Sequence, residues 1–176
     1  MKKLTATVLL LVLASCYLLS CEKDDICPEG TVTTPSMVIE IFNAENRSVA
    51  RAVDSLRLFI EGREDTIRLG STSKFRLPLL VDAENVKWGL KQGTRVTGNH
   101  YIYNIDYLEF TYTKEEEYIN RACGFKDSFR LVPGTNLVPN PTLTNGPGAE
   151  GLWIDDIDVE TSNIINENET HIKIYY

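Results

Sequence analysis

Cys21 is the residue of this chain whose chemistry is easiest to read. It follows Leu18-Leu19-Ser20, an order of apolar, small and thiol residues on which a signal peptidase cleaves and a thiol accepts a diacylglycerol. Upstream, Lys2 and Lys3 precede an apolar run of eleven residues, Leu4 to Ala14. That run is too short to cross a bilayer as a stable helix and suits a secretory signal. Leu13-Ala14-Ser15-Cys16 fits the cleavage pattern slightly better on its own. Cleavage there would leave the apolar stub Tyr17-Leu18-Leu19, whereas cleavage before Cys21 leaves the charged Glu22-Lys23-Asp24-Asp25. The expectation is a lipoprotein signal peptide over 1–20, a lipidated N-terminus and tether over 21–36, and one folded domain over 37–176. The partner of the N-terminus is then a membrane, reached through its acyl chains.

Two other cysteines remain once Cys21 is lipidated. Cys27 and Cys123 are an even pair in an oxidising compartment, where a disulfide is the default; the alternative is two buried free thiols. A bridge would close a loop of nearly a hundred residues, worth roughly 4–5 kcal/mol in chain-entropy terms. It would also shorten the leash, since the six steps from Cys21 to Cys27 reach at most about 20 Å.

Other constellations point to little catalysis. The chain has two histidines, His100 after a turn and His171 near the C-terminus. It has no nucleophile elbow, no His-Glu-x-x-His and no paired-cysteine zinc spacing. No cofactor, metal or catalytic residue is expected. Asp155, Asp156, Asp158 and Glu160 cluster after Trp153. Two acids facing each other across a cleft could hydrolyse glycosides, and acids with carbonyls could take calcium. Alternation of Asp156, Asp158 and Glu160 with Ile157 and Val159 makes them the wet face of a strand instead. Aromatic residues offer a second kind of site. Tyr101, Tyr103 and Tyr107 lie close together before the Leu108 strand, and Trp88 and Trp153 lie near expected strand ends, where exposed rings could form a platform for the C–H face of a sugar. The competing reading is that strand aromatics fill a core.

Composition narrows the partners. Loss of residues 1–20 removes two lysines and no acid, moving the net charge from −7 to −9. No basic run along the chain suggests displacement of phosphate counterions, so nucleic acid is not expected as a partner. The mature length suits one domain with one core.

Short runs of β-branched and aromatic residues must position these groups. Strands are expected at Val38–Phe42, 53–61 with 65–70 as a hairpin, Phe75–Val81, Leu108–Tyr112, Tyr118–Phe125, Ser128–Val132, Leu152–Val159 and His171–Tyr176. Pro78 marks its strand as an edge or a bulge. The segment 53–61 also carries helical spacing at Val49, Val53, Leu56 and Ile60. The stretch from Pro133 to Gly151 holds four of the seven prolines and four of the eleven glycines and is expected to be an irregular loop. About eight or nine strands with close turns imply an all-β, immunoglobulin-like antiparallel sandwich.

Cys21-Glu22-Lys23-Asp24-Asp25-Ile26-Cys27-Pro28-Glu29-Gly30, Arg121-Ala122-Cys123-Gly124-Phe125 and the closing His171-Ile172-Lys173-Ile174 resemble an uncharacterised family of Bacteroidetes lipoproteins defined only as a domain of unknown function. The resemblance implies lipid on Cys21, pairing of Cys27 with Cys123, and a place at the outer membrane. The acidic run after Cys21 resembles the surface-export signal of that phylum, so the cell surface is expected over the periplasmic face. No activity follows from the resemblance. The functional expectation is a non-enzymatic binding or accessory subunit that meets an outer-membrane protein. The alternatives are a glycan-binding module and, further off, a glycoside hydrolase built on the acids around Asp155.

Overall fold

The computed structural model describes residues 26–31, 34–98, 100–147 and 151–176. The signal segment, Cys16, Cys21 and residues 22–25 lie outside the described residues, as do 148–150 of the Pro133–Gly151 stretch. The chain divides into two compact units, Met1–Thr31 with Tyr118–Phe125, and Val32–Glu117 with Lys126–Tyr176.

Among the described residues there are eleven strands: β1 (Met37–Phe42), β2 (Val53–Ile60), β3 (Thr66–Thr72), β4 (Lys74–Leu77), β5 (Asn85–Thr97), β6 (His100–Asn120), β7 (Gly124–Leu131), β8 (Thr142–Asn145), β9 (Asp156–Val159), β10 (Asn163–Ile164) and β11 (Ile172–Tyr175). They form a four-stranded sheet, β4-β1-β11-β9, and a seven-stranded sheet, β10-β7-β6-β5-β2-β3, with β8 added on β6. Neither sheet closes on itself, and the fold is an all-β sandwich.

Period-2 alternation builds the core of the larger unit. Leu56 and Leu58 of β2, Val86, Trp88 and Leu90 of β5, and Leu108, Phe110 and Tyr112 of β6 are buried from the large sheet. Ile39 and Ile41 of β1, Phe75 and Leu77 of β4, and Ile172 and Ile174 of β11 are buried from the small one. Each fully buried side chain of this size contributes about 1.5–3 kcal/mol. Tyr112 also pins the segment after β4, because its hydroxyl accepts from Leu80 N (2.9 Å) and donates to Leu80 O (3.0 Å).

As the hairpin expected over 53–61 and 65–70 requires, β2 and β3 pair antiparallel, with Gly62 at φ 79° in the turn. Other expectations need correction. The strand at Phe75 stops at Leu77, because Pro78 has no N–H for a ladder; β4 is an edge strand, as the proline implied. Tyr118–Phe125 is the tip of the β6–β7 hairpin and not a strand of its own. Leu152–Val159 is extended in the sheet only from Asp156; Trp153 and Ile154 turn into the core instead. The Pro133–Gly151 stretch contains β8, whose Thr142–Asn145 pairs with Asp106–Glu109 of β6. The pairing of β1 with β11 is parallel, Ile39 opposite Ile172 and Ile41 opposite Ile174. No hairpin links those two strands, so nothing local imposes the antiparallel direction.

Candidate functional site

The face of the large sheet turned away from the core holds a group of cations set against tyrosine rings. Alternation sends Arg57 and Phe59 of β2, Lys87 and Lys91 of β5, and Tyr103 and Tyr107 of β6 to that face, opposite the buried Leu58, Trp88, Leu90 and Leu108. Register then aligns them in rows. Arg68 of β3 stands opposite Arg57, and Arg57 stands opposite Lys91. Three cations therefore lie side by side on three adjacent strands. Like charges directly opposite one another in a sheet destabilise it. Among the described residues no carboxylate lies within ion-pair distance of any of the three. Lys87, two rows away on the same face, does have such a partner in Glu61 at 2.9 Å.

Tyrosine holds two of these cations in place. The Arg57 guanidinium lies 4.7 Å from the Tyr103 ring centroid and donates from Nη2 to its hydroxyl at 2.7 Å. Lys91 Nζ lies 4.7 Å from the same centroid. Each such contact contributes about 0.5–1 kcal/mol at a half-exposed site. Two glycines make room for the rings. A Cβ at Gly93 would come 2.8 Å from the Tyr103 ring, and one at Gly89 would intrude into the Phe59 ring. Phe59 meets Tyr107 edge-on at 5.9 Å between centroids. Arg57, Phe59, Arg63, Thr66, Lys91 and Ile105 line a shallow hollow of about 230 Å³. Larger hollows of about 500 and 460 Å³ lie by the β4–β5 connection, lined by charges of both signs. They lack the unpaired row.

The residues singled out from sequence separate. Tyr103 is at the centre of the cluster, and Tyr101 stacks against it with centroids 6.1 Å apart. Trp88 and Trp153 are core residues, 3% and 8% exposed, so neither indole offers a ring face to a sugar. Trp153 is fixed there by its own indole N–H, which donates to Leu90 O at 3.1 Å. Asp106, buried opposite this face, accepts from the backbone N–H of Trp153 and Ile154, both at 2.9 Å on Oδ2. Burial pushes its carboxyl above the usual carboxylate range, against the pull of those two bonds. The function of Asp106 is thus to dock residues 153–154 onto β6.

Asp156, Asp158 and Glu160 each have a partner of opposite charge. Asp156 and Asp158 share Arg47, Tyr175 donates its hydroxyl to Asp158 Oδ2 at 2.9 Å, and Lys173 pairs with Glu160 at 3.1 Å. Asp156 and Asp158 lie on β9, an edge strand of the small sheet, and Glu160 follows directly after it. Arg47 holds the Asp156 carboxyl below its usual range. His171 is buried, and its Nδ1 accepts from Val38 N–H at 2.9 Å, so the ring is neutral with its proton on Nε2. Burial lowers its pKa.

Cys27 and Cys123 form a disulfide, with Cα atoms 4.8 Å apart. The sequence could not show the Arg68–Arg57–Lys91 row, because these residues are dispersed along the chain and meet only through register. The signal that could have found it is the pair of glycines in β5, Gly89 and Gly93, spaced to sit under rings.

No curated protein matches this chain, and no solved structure matches it. A family of unknown function, DUF6452, matches residues 55–176. That span contains the cation row, Cys123 and every strand except β1 and the first residues of β2, and it makes the chain a member of the DUF6452 family.

Proposed function

We propose that this protein is a non-enzymatic, lipid-anchored binding module of the outer membrane, displayed at the cell surface, that takes a carboxylated or sulfated glycan on the outer face of its large sheet. The observation that carries this reading is the row Arg68–Arg57–Lys91, unpaired among the described residues and braced by Tyr103. An anion relieves the repulsion within the row, and Arg57 offers the planar fork that meets a carboxylate or sulfate with two hydrogen bonds. Because Tyr103 already holds Arg57, less side-chain entropy is lost on binding. Phe59, which helps line the hollow, offers apolar contact to an adjoining sugar ring. Anchoring and location rest on the Cys21 pattern.

A panel of uronate-containing, sulfated and neutral oligosaccharides tests the reading. Retention of the acidic members alone, lost on Arg57→Gln with Lys91→Gln, supports it; equal retention of neutral members refutes it.

A second reading is favoured by a separate observation. Leu137 and Val138 are 92% and 69% exposed on a turn where Thr135 and Val138 exchange hydrogen bonds. Asn140 pins that turn to Thr111 and Val132. A fixed apolar knob suits an accessory subunit docking on an outer-membrane protein. Crosslinking in intact cells, with Leu137→Asp as the control, tests it: a discrete partner lost in the variant supports docking.

A further inference from the structure

We propose that the hairpin tip carrying Tyr118 and Phe125 seats in the headgroup interface of the bilayer, so that the protein is held by its lipid and by an aromatic wedge. The proposal rests on the reading that Cys21 is lipidated.

Tyr118 and Phe125 are 57% and 62% exposed, and their rings meet at 5.2 Å between centroids with a 63° tilt. Two large rings packed against each other yet left in water form a small apolar patch. Ile26, 80% exposed and next to Cys27, belongs to the same compact unit. The tip itself is rigid in construction: Asn120 Oδ1 accepts from Cys123 N–H at 2.7 Å, and Gly124 takes φ 70° to close the turn.

The disulfide says what this patch meets. Cys27 is joined to Cys123, two residues from Phe125. Cys27 lies six residues from Cys21, a reach of about 20 Å at full extension. If Cys21 carries acyl chains in the bilayer, the tip cannot leave the neighbourhood of the membrane surface. Tyrosine concentrates at that interface, where its ring leaves water and its hydroxyl keeps its hydrogen bonds, and the phenylalanine beside it adds apolar surface to bury. Glu22, Asp24 and Asp25 on the leash disfavour anionic headgroups, so the surface expected is zwitterionic.

The test uses the full chain, processed and lipidated in its cells, reconstituted into phosphatidylcholine vesicles with brominated acyl chains. Tryptophan replaces one ring at a time, Phe125→Trp and Tyr118→Trp. The native Trp88 and Trp153 are buried and give a constant background that the unsubstituted protein measures. Mass spectrometry of the N-terminal peptide reports the lipid independently. The expected result is a blue-shifted new emission that is quenched by bromine placed near the headgroups. A lipidated Cys21 with a red-shifted, unquenched tryptophan in both variants overturns the wedge and leaves the anchor standing. An unlipidated Cys21 overturns both.

Discussion

Replacing Asp106 with alanine should cost about 2–5 kcal/mol. The side chain is fully buried, and its Oδ2 is the acceptor for two buried N–H groups, those of Trp153 and Ile154. Each buried donor left without a partner costs about 1–3 kcal/mol. Removal of the desolvated carboxyl offsets part of that sum. For a domain of this length the loss corresponds to a fall in Tm of roughly 5–15 °C. Asp106→Asn separates the two contributions, since the amide oxygen can still accept both bonds while the charge is gone. The sign follows from the raised carboxyl pKa. The native state keeps this proton to higher pH than the unfolded chain does. Wild-type stability from this group is therefore greatest below the unfolded value, about pH 4, and declines as pH rises through the folded value. The asparagine variant should gain on the wild type between pH 4 and pH 7. Thermal denaturation of the three proteins across that range measures both effects. An alanine variant within about 1 kcal/mol of wild type would refute the docking role of Asp106.

Cys123→Ser opens a covalent loop with a sequence separation of 96. It should lower Tm by several degrees or more, with about 4–5 kcal/mol as the upper figure, and dithiothreitol on the wild type should match it; equal melting of oxidised and reduced protein would contradict this. His171 has a lowered folded pKa, so its contribution is present above the unfolded value near pH 6.5 and fades as pH falls below it. Denaturant melts should show a stability loss between pH 7.5 and 5.5 that His171→Gln lacks. Gly89→Val places a side chain where the Phe59 ring lies and should cost about 1–3 kcal/mol while displacing that ring, read by denaturation and by the Phe59 ring resonances. A neutral effect there would mean the ring is not seated on the glycine.

Much of the sandwich was legible because its strands carry clean alternation: Leu56 and Leu58, Leu108, Phe110 and Tyr112, Ile172 and Ile174. The strand β5 was not assigned from sequence, although Val86, Trp88 and Leu90 alternate with Lys87, Gly89 and Lys91. Glycine at two outward positions and lysine at two more weaken the strand signal there, since β-propensity is low for both. Those same glycines are there to let Phe59 and Tyr103 lie on the sheet. The strand β8 was hidden by Pro139, Pro141 and Gly146 around it, where only pairing with β6 makes four residues extended. Pairing of distant strands also decided the candidate site. Arg57, Arg68 and Lys91 are unremarkable in a chain with net charge −7, and only register puts them in one row. The tryptophans misled for the opposite reason: large rings near strand ends are ambiguous between platform and core, and tertiary packing placed both inside.

The central claim is best tested by titrating an oligouronate, and its uncharged parent sugar, into the wild-type protein and the Arg57→Gln, Lys91→Gln double variant by calorimetry. The account predicts binding of the charged oligomer alone, weakened as ionic strength rises, and at least about tenfold weaker in the double variant, because each lost charged hydrogen bond is worth about 1.5–3 kcal/mol. Equal affinity for the neutral sugar, or unchanged affinity in a folded double variant, would contradict it.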